Sequence, residues 1–389
     1  MKAMSRSSLL TINSGSSSIK FSVYSFGQSE ELLVSGTMDG KKFRAKDAAG
    51  KVLLDEPLDL SDRDAAAGRL IDWLRTEGYL ADIKGIGYRI VHGGPDYTEP
   101  VLVLPPVLEY LRKIIHLAPD HLPDQIETIV RINKLLPHIP AIGCFDTSFH
   151  RTMPRYAQMF GLPKALIADG FVRYGFHGLS YTYIVDELRR TKQLPERLIV
   201  AHLGNGASMA AILNGASIDT SMGLTPSGGF MMSNRSGDLD PGVILMLLRD
   251  KKMPAEQIAD MVNQDGGLKG LSGISGDMRT LEKDSPKTVF VFCYQVKKFL
   301  GAYMAALGGL DTLVFTGGIG ENSSTVRGWI CDGLQRLGIV FDEARNKAGE
   351  AVISAQGSAV TVRVMQTNEE VVIARSTAKL LKASEESHP

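Results

Sequence analysis

Cysteine is scarce in this chain. Cys144, Cys293 and Cys331 are spread over 389 residues, an odd number with no Cys-x-x-Cys pair. That spacing argues against a disulfide framework and a thiolate zinc site, and reduced thiols of a cytosolic protein are the expectation. Long hydrophobic runs are also missing. No stretch approaches the roughly 18 apolar residues of a membrane span, and the apolar run before Asn13 is too short for a signal-peptide core. Cytoplasmic residence is therefore expected. No charge of one sign dominates, since 43 Lys and Arg balance 43 Asp and Glu. Nothing global argues for nucleic acid or an acidic membrane surface as partner. What the chain does have is 44% hydrophobic and 22% charged residues, enough for large cores. Its length suits two domains or three.

Small polar turns set between apolar runs organise the rest. Thr11-Ile12-Asn13-Ser14-Gly15-Ser16-Ser17-Ser18-Ile19-Lys20 joins runs at 9–12 and 19–24 and predicts a β-hairpin. Its serines, its free backbone donors and Lys20 suit a polyphosphate tail, and Asn13 could reach a metal-bound water. It is not the Gly-x-x-x-x-Gly-Lys-Ser/Thr loop that precedes a helix. About 190 residues on, a strand at 198–203, Gly204-Asn205-Gly206-Ala207-Ser208 and a strand at 209–213 repeat the design. Self-similarity at half the chain length suggests a duplicated domain with two phosphate hairpins.

Between and beyond these hairpins, short antiparallel strands are predicted over 31–60, helices over 65–74, 106–117 and 123–136, and a strand over 83–91. A strand at 139–145 ends in Asp146, the position where α/β folds place chemistry. Helices are expected from about 180 to 190 and 287 to 307. Residues 221–242 and 271–279 read as glycine-rich loops, and a loop as long as the first is usually functional. A strand at 313–316 feeds a glycine turn at Gly317-Gly318-Ile319-Gly320 and then a helix; backbone at the turn can approach a planar base, and the helix N-terminus favours anions. A strand at 359–365 leads to a last helix over 371–381, with a polar tail expected to fray.

Taken together, seven ordered segments resemble the acetate kinase family of short-chain acyl kinases, within the actin, sugar-kinase and heat-shock-70 superfamily. They are residues 13–20, Tyr88-Arg89-Ile90-Val91-His92-Gly93-Gly94, Phe145-Asp146-Thr147-Ser148-Phe149-His150, Tyr174-Gly175-Phe176-His177-Gly178, His202-Leu203-Gly204-Asn205-Gly206, Arg235-Ser236-Gly237-Asp238 and Gly318-Ile319-Gly320-Glu321-Asn322. The resemblance implies an α/β fold of two duplicated actin-like (ribonuclease-H-like) domains with an interdomain cleft. One domain would be 1–146 joined by a returning helix over 371–389, the other a nucleotide-binding domain over 147–370. It also implies a homodimer and reversible, Mg²⁺-dependent phosphoryl transfer from ATP to acetate, with Mn²⁺ as a possible substitute. Because the matched loops come from both halves, hinge closure over the nucleotide is expected.

The residue roles implied by the resemblance are physically coherent. Arg89 would hold the acyl carboxylate and Arg235 would bridge it to the moving phosphoryl group, both through bidentate guanidinium geometry. His177 would donate to transition-state oxygens. Asp146 matches a proton donor or acceptor, but a substrate carboxylate is already ionised at pH 7, so orienting an arginine or a metal-bound water suits it better. Asn13 and Glu369 match metal positions, with Glu370 as the neighbouring alternative. Ser16, Ser18, Lys20 and His202, Leu203, Gly204, Asn205 and Gly206 would face phosphates. Asp277, Met278 and Arg279 would lie by the nucleoside, and Gly318, Ile319, Gly320, Glu321 and Asn322 would wrap the adenosine. Val91, Phe176 and Pro226 match an apolar wall for the acyl group.

Three departures stand out. Ser233-Asn234 precede Arg235 where Gly-Thr is usual. Tyr181 replaces a second histidine. Asp120 occupies a place often held by leucine, where a carboxylate beside an acyl methyl is costly unless it turns to solvent. Propionate or butyrate therefore remain alternatives to acetate. A superfamily ATPase acting on water is a weaker reading, because it has no carboxylate for Arg89 and Arg235 to hold.

Overall fold

The computed structural model describes residues 7–15, 18–26, 30–58 and 63–386. Ser16 lies outside the described residues. The chain forms two compact units: residues through Ser148 together with those from Asn368 onward, and Phe149–Thr367.

The first unit is built on one mixed sheet. Its strands are β1 (Ser8–Ser14), β2 (Ser18–Phe26), β3 (Glu30–Asp39), β4 (Lys42–Asp47), β5 (Val52–Pro57), β6 (Ile83–Ile90), β7 (Val101–Leu102) and β8 (Ala141–Phe145), in the order β5-β4-β3-β2-β1-β6-β8-β7. Every residue of β1 is buried, as a strand covered on both faces must be. The predicted hairpin forms with Asn13 opposite Lys20, and the Gly15 N–H donates to the Ser18 carbonyl at 2.8 Å. Phe21, Phe43 and Trp73 meet edge to face, with ring centroids 5.6–5.9 Å apart, and pin the helix Arg63–Thr76 to the sheet. The helix Glu369–Glu386 packs on β6 through Gly87. A Cβ there would lie 2.3 Å from Thr377 Oγ1, so only glycine admits the helix at that distance. The helix runs on to Glu386, where the polar tail was expected to fray.

The second unit has a five-stranded sheet of β9 (Arg197–Leu203), β10 (Ala207–Leu213), β11 (Ala216–Thr220), β12 (Thr312–Thr316) and β13 (Thr361–Val364), ordered β11-β10-β9-β12-β13. Strands β9, β10 and β11 are antiparallel neighbours, while β12 is parallel to both β9 and β13. In the first unit β3, β2 and β1 are likewise antiparallel, and β6 is parallel to both β1 and β8. The same order and directions occur twice, so the fold is a duplicated ribonuclease-H-like core.

The glycine-rich segments are more helical than their composition suggests. Gly317–Asn322 is a helical turn because Glu321 folds back, its Oε1 accepting from the Gly317 N–H at 2.9 Å and the Thr316 hydroxyl at 3.4 Å. Residues 271–279 are not one loop. Their ends belong to the helices Gly267–Ser272 and Met278–Asp284, and the Asp277 side chain caps the second by accepting from the Arg279 N–H at 2.8 Å.

Candidate active site

In the first unit four predicted residues meet at the ends of β1, β6 and β8. Arg89 Nε lies 3.1 Å from both Asp146 carboxylate oxygens, and Nη2 donates to Oδ2 at 2.6 Å. Nη1 donates to Asn13 Oδ1 at 3.1 Å. Asn13 Nδ2 donates to Glu369 Oε2 at 3.2 Å, which lies 3.7 Å from Arg89 Nε. Glu369, rather than Glu370, therefore meets Asn13. Asp146 is 0% exposed and Arg89 21%. Burial alone would weaken the arginine's charge, but the Asp146 and Glu369 carboxylates outweigh it and raise its pKa. A guanidinium has five N–H donors. Three are committed here, one each on Nε, Nη1 and Nη2, which leaves one on each terminal nitrogen for a ligand. Glu370 is pushed up by burial and by Glu369. Val91 is buried, and its N–H donates to Gln125 Oε1 at 2.9 Å. Lys20 and Asp120 are exposed, so the Asp120 carboxylate turns to solvent.

The second unit gathers a different set. His177 sits in the left-handed region at φ 58° and opens the helix Gly178–Arg190. Its ring stacks on His202 at 4.2 Å between centroids, and Nδ1 lies 2.8 Å from Ser208 Oγ. Arg235 Nη1 donates to the Pro226 carbonyl at 3.0 Å. A Cβ on Gly206 would lie 3.4 Å from both Arg235 Nη1 and His177 Nε2, so these two nitrogens converge over a bare backbone. Phe176 is buried, and its carbonyl accepts from His150 Nε2 at 3.0 Å.

Beside this set a cavity of about 650 Å³ is lined by Gly204, Asn205, Asp277, Met278, Arg279, Glu282, Gly318, Ile319, Asn322 and Ser323. A smaller one of about 350 Å³ carries Arg235, Gly206, Ser233 and Asn234, and shares Asn205 and Asp277 with the first. Clefts of a few hundred Å³ are of ligand size. Arg279 pairs with Asp277 at 2.7 Å and holds that carboxyl down at about 2. Gly320 and Glu321 do not line the cavity; they support its wall. Arg327, 2% exposed, donates to their carbonyls at 2.8 and 2.9 Å and to Asn346 Oδ1 at 2.8 Å.

Sequence reasoning missed Gln125, Ser208 and Arg327. A glutamine on the apolar face of Leu122–Leu135, among buried Ile126, Ile129 and Ile132, was a readable signal. Ser208, immediately after the glycine turn, and Arg327, among the apolar residues of Ser324–Cys331, were weaker ones.

A duplicated ribonuclease-H-like core carrying paired donors and a nucleotide-sized cavity defines a phosphotransferase of the actin and sugar-kinase superfamily. The chain belongs to the acetokinase family, whose sequence model matches residues 8–375. Relatives named acetate kinase include those of Methylocella silvestris, 41% identical, and Rhizobium meliloti, 42% identical, each match covering 96% of this chain and 98% of the relative. Among solved structures, a propionate kinase from Francisella tularensis is 35% identical with TM-score 0.90, covering 96% of this chain and 99% of that one. The acetate kinase of Porphyromonas gingivalis is 36% identical with TM-score 0.86, over 96% and 100%.

Proposed function

We propose that the protein transfers the γ-phosphoryl group of ATP to acetate, reversibly, giving acetyl phosphate and ADP. The observation that carries this reading is the Arg89 guanidinium, fixed by Asp146 and Asn13 with one N–H left on each terminal nitrogen, donors that a small carboxylate can accept from. The nucleophile is ionised at neutral pH, so no group has to take its proton. Asp146 acts by holding Arg89. Charge and alignment are the remaining difficulty, and Arg235 and His177 supply positive charge and a hydrogen-bond donor to the phosphoryl oxygens. The larger cavity takes the nucleoside, and the glycine turn at 204–206 takes its phosphates.

Mg²⁺ fits the donors present. Asn13, Asp146 and Glu369 offer oxygen only, the chemistry a hard cation prefers. Mg²⁺ commonly keeps several waters and leans on substrate phosphates, so it needs only one or two protein oxygens. When bound it would neutralise phosphate charge.

The two compact units are the two domains on this reading. A homodimer is supported by the helix Pro241–Arg249, which has no buried residue and exposes Val243, Leu245, Met246 and Leu248. Sedimentation as a monomer at micromolar concentration would end that reading. Cytoplasmic residence is supported by three buried free cysteines. No helix among the described residues is long and apolar enough to cross a membrane.

The likeness to a propionate kinase favours a second reading with a longer acid, since one methylene is worth only about 1–3 kcal/mol. ADP release and hydroxylamine trapping across acetate, propionate and butyrate decide between them. Acetate should have the highest kcat/KM, and the lowest of the three would overturn the choice. Turnover of ATP without any acid and without a trapped acyl phosphate would point to the ATPase alternative.

A further inference from the structure

We infer that Glu282 selects the base of the nucleotide: its Oε2 accepts a hydrogen bond from the 6-amino group of adenine, while Ser323 holds the carboxylate in place. This rests on the larger cavity taking the nucleoside. Glu282 and Ser323 both line that cavity. The Ser323 hydroxyl donates to Glu282 Oε1. Its oxygen accepts from the Val326 N–H at 3.0 Å, where Ser323 caps the helix Ser324–Cys331. These directions are not interchangeable. A backbone N–H only donates and an ionised carboxylate only accepts, so the one hydroxyl hydrogen goes to Glu282. Among the described residues no hydrogen bond reaches Oε2.

Position along the helix says which part of a nucleotide Glu282 meets. Asp277 caps the helix Met278–Asp284 and, with Asn205, belongs to both cavities. The start of the helix therefore adjoins the smaller cavity, which carries Arg235. Glu282 stands further along, about 7.5 Å from Asp277 in axial rise, and shares a face with Met278 and Arg279. A carboxylate at that depth repels phosphates. The ribose is tied to them through its 5′ carbon and lies nearer Asp277, whose two oxygens both pair with Arg279. The base reaches further, beside the apolar side chains of Met278 and Ile319.

The chemistry of the base edge separates the purines. Adenine carries an amino donor at position 6, where hypoxanthine and guanine carry a carbonyl oxygen. A carboxylate oxygen bonds the first and repels the second. Guanine would offer N1–H and its 2-amino group, a pair that suits both oxygens of a carboxylate, but Ser323 already holds Oε1. Glu282 is thus a specificity-determining residue, and Ser323 is a positioning residue that acts through it.

The test is calorimetric titration of the full chain with ADP, IDP and 2′-deoxy-ADP. The wild type should bind ADP on the order of tenfold more tightly than IDP, the worth of one hydrogen bond to a charged group. Glu282→Gln turns an amide NH₂ toward the base and should close that gap or invert it, while the ratio of ADP to 2′-deoxy-ADP stays as in the wild type. Ser323→Ala should narrow the gap, and Ser323→Thr, which keeps the hydroxyl, should restore it. Equal or tighter binding of IDP by the wild type overturns the inference, even if no variant folds. So does an ADP-to-IDP ratio that Glu282→Gln leaves unchanged, or a change confined to the 2′-deoxy-ADP ratio, which would place Glu282 on the ribose. No binding of ADP at all would overturn the proposed function along with the inference; equal binding of ADP and IDP overturns the inference alone.

Discussion

Replacing Asp146 by asparagine separates an orienting role from a proton-transfer role. The substitution keeps the shape but removes the charge and turns an NH₂ toward an arginine that now meets a carboxylate at Nε and Nη2. Removing one partner of a buried ion pair costs about 3–5 kcal/mol. Arg89 keeps 21% of its side-chain surface, so the lower figure applies. At about 1.4 kcal/mol per factor of ten, roughly 100-fold is at stake. Because Asp146 touches Arg89 and the reaction has no proton to remove, the loss should appear as a raised KM for acetate, with KM for ATP nearly constant. It should also be uniform across the neutral pH range, where acetate stays ionised. Initial rates with acetate varied at several pH values measure this, and urea unfolding of the same variant reports how much of the loss is stability. An unchanged KM for acetate, with kcat alone lost and regained by raising the pH, would refute the reasoning and return Asp146 to proton transfer.

Arg235→Leu should lower kcat by roughly 10³-fold or more, as loss of an arginine finger does, while calorimetry shows nucleotide binding retained; near-normal kcat would remove Arg235 from the site. Gly206→Val should push a side chain between Arg235 Nη1 and His177 Nε2 and depress kcat with little change in the unfolding midpoint; an active variant would mean the two donors do not work across that backbone. Arg327→Met should strip the Gly320 and Glu321 carbonyls of their donor, at about 1–3 kcal/mol each, and weaken ATP binding without changing KM for acetate. Burial holds His150 down at about 4, below its ordinary 6.5. Between those values the unfolded chain binds a proton that the folded chain does not, so stability is full above pH 7 and falls toward pH 4. About 2 kcal/mol should be gone by pH 5; His150→Gln should lose less over the same interval, and an equal loss in urea unfolding would remove His150 as the cause.

Much of this was legible in the sequence because the duplication writes itself as apolar run, small turn, apolar run, twice. Periodicity finds the strands of both hairpins and the proline-opened helices Pro105–Lys113 and Leu122–Leu135. It fails at Gly317–Asn322, where glycine composition reads as a turn and the helix depends on a carboxylate folding back from Glu321. It is silent on Pro241–Arg249, whose apolar residues leave no polar face to set a period. Arg89, Asp146, His177 and Arg235 were singled out by the likeness of their segments to the acetate kinase family, since spacing alone does not separate such residues from structural ones. Gln125, Ser208 and Arg327 act by holding other groups, and nothing in spacing distinguishes a buried serine that bonds a histidine from one that fills space.

The two halves of the duplication surround their arginines differently, and on the proposed reading that difference suits separate tasks. In the first, one guanidinium faces the Asp146 and Glu369 carboxylates, so the cluster carries a net charge of minus one before any substrate arrives. Glu370 beside it has its pKa raised by burial and by Glu369. An incoming acid anion would deepen the deficit. Lys20, on the strand opposite Asn13, and a divalent cation on the oxygen donors are what could offset it. In the second half Arg235 is bound through a neutral carbonyl, and its charge is not cancelled by that contact. A compensated arginine can grip a small anion and release it, as a reversible reaction requires. On the proposed reading Arg235 serves a phosphoryl group whose charge spreads as bonds break. Exchanging the two environments, by giving Arg235 a carboxylate neighbour at Asn234, should therefore cost transfer far more than binding: Asn234→Asp should lower kcat while KM for acetate barely moves, and a selective rise in that KM would contradict this division of labour.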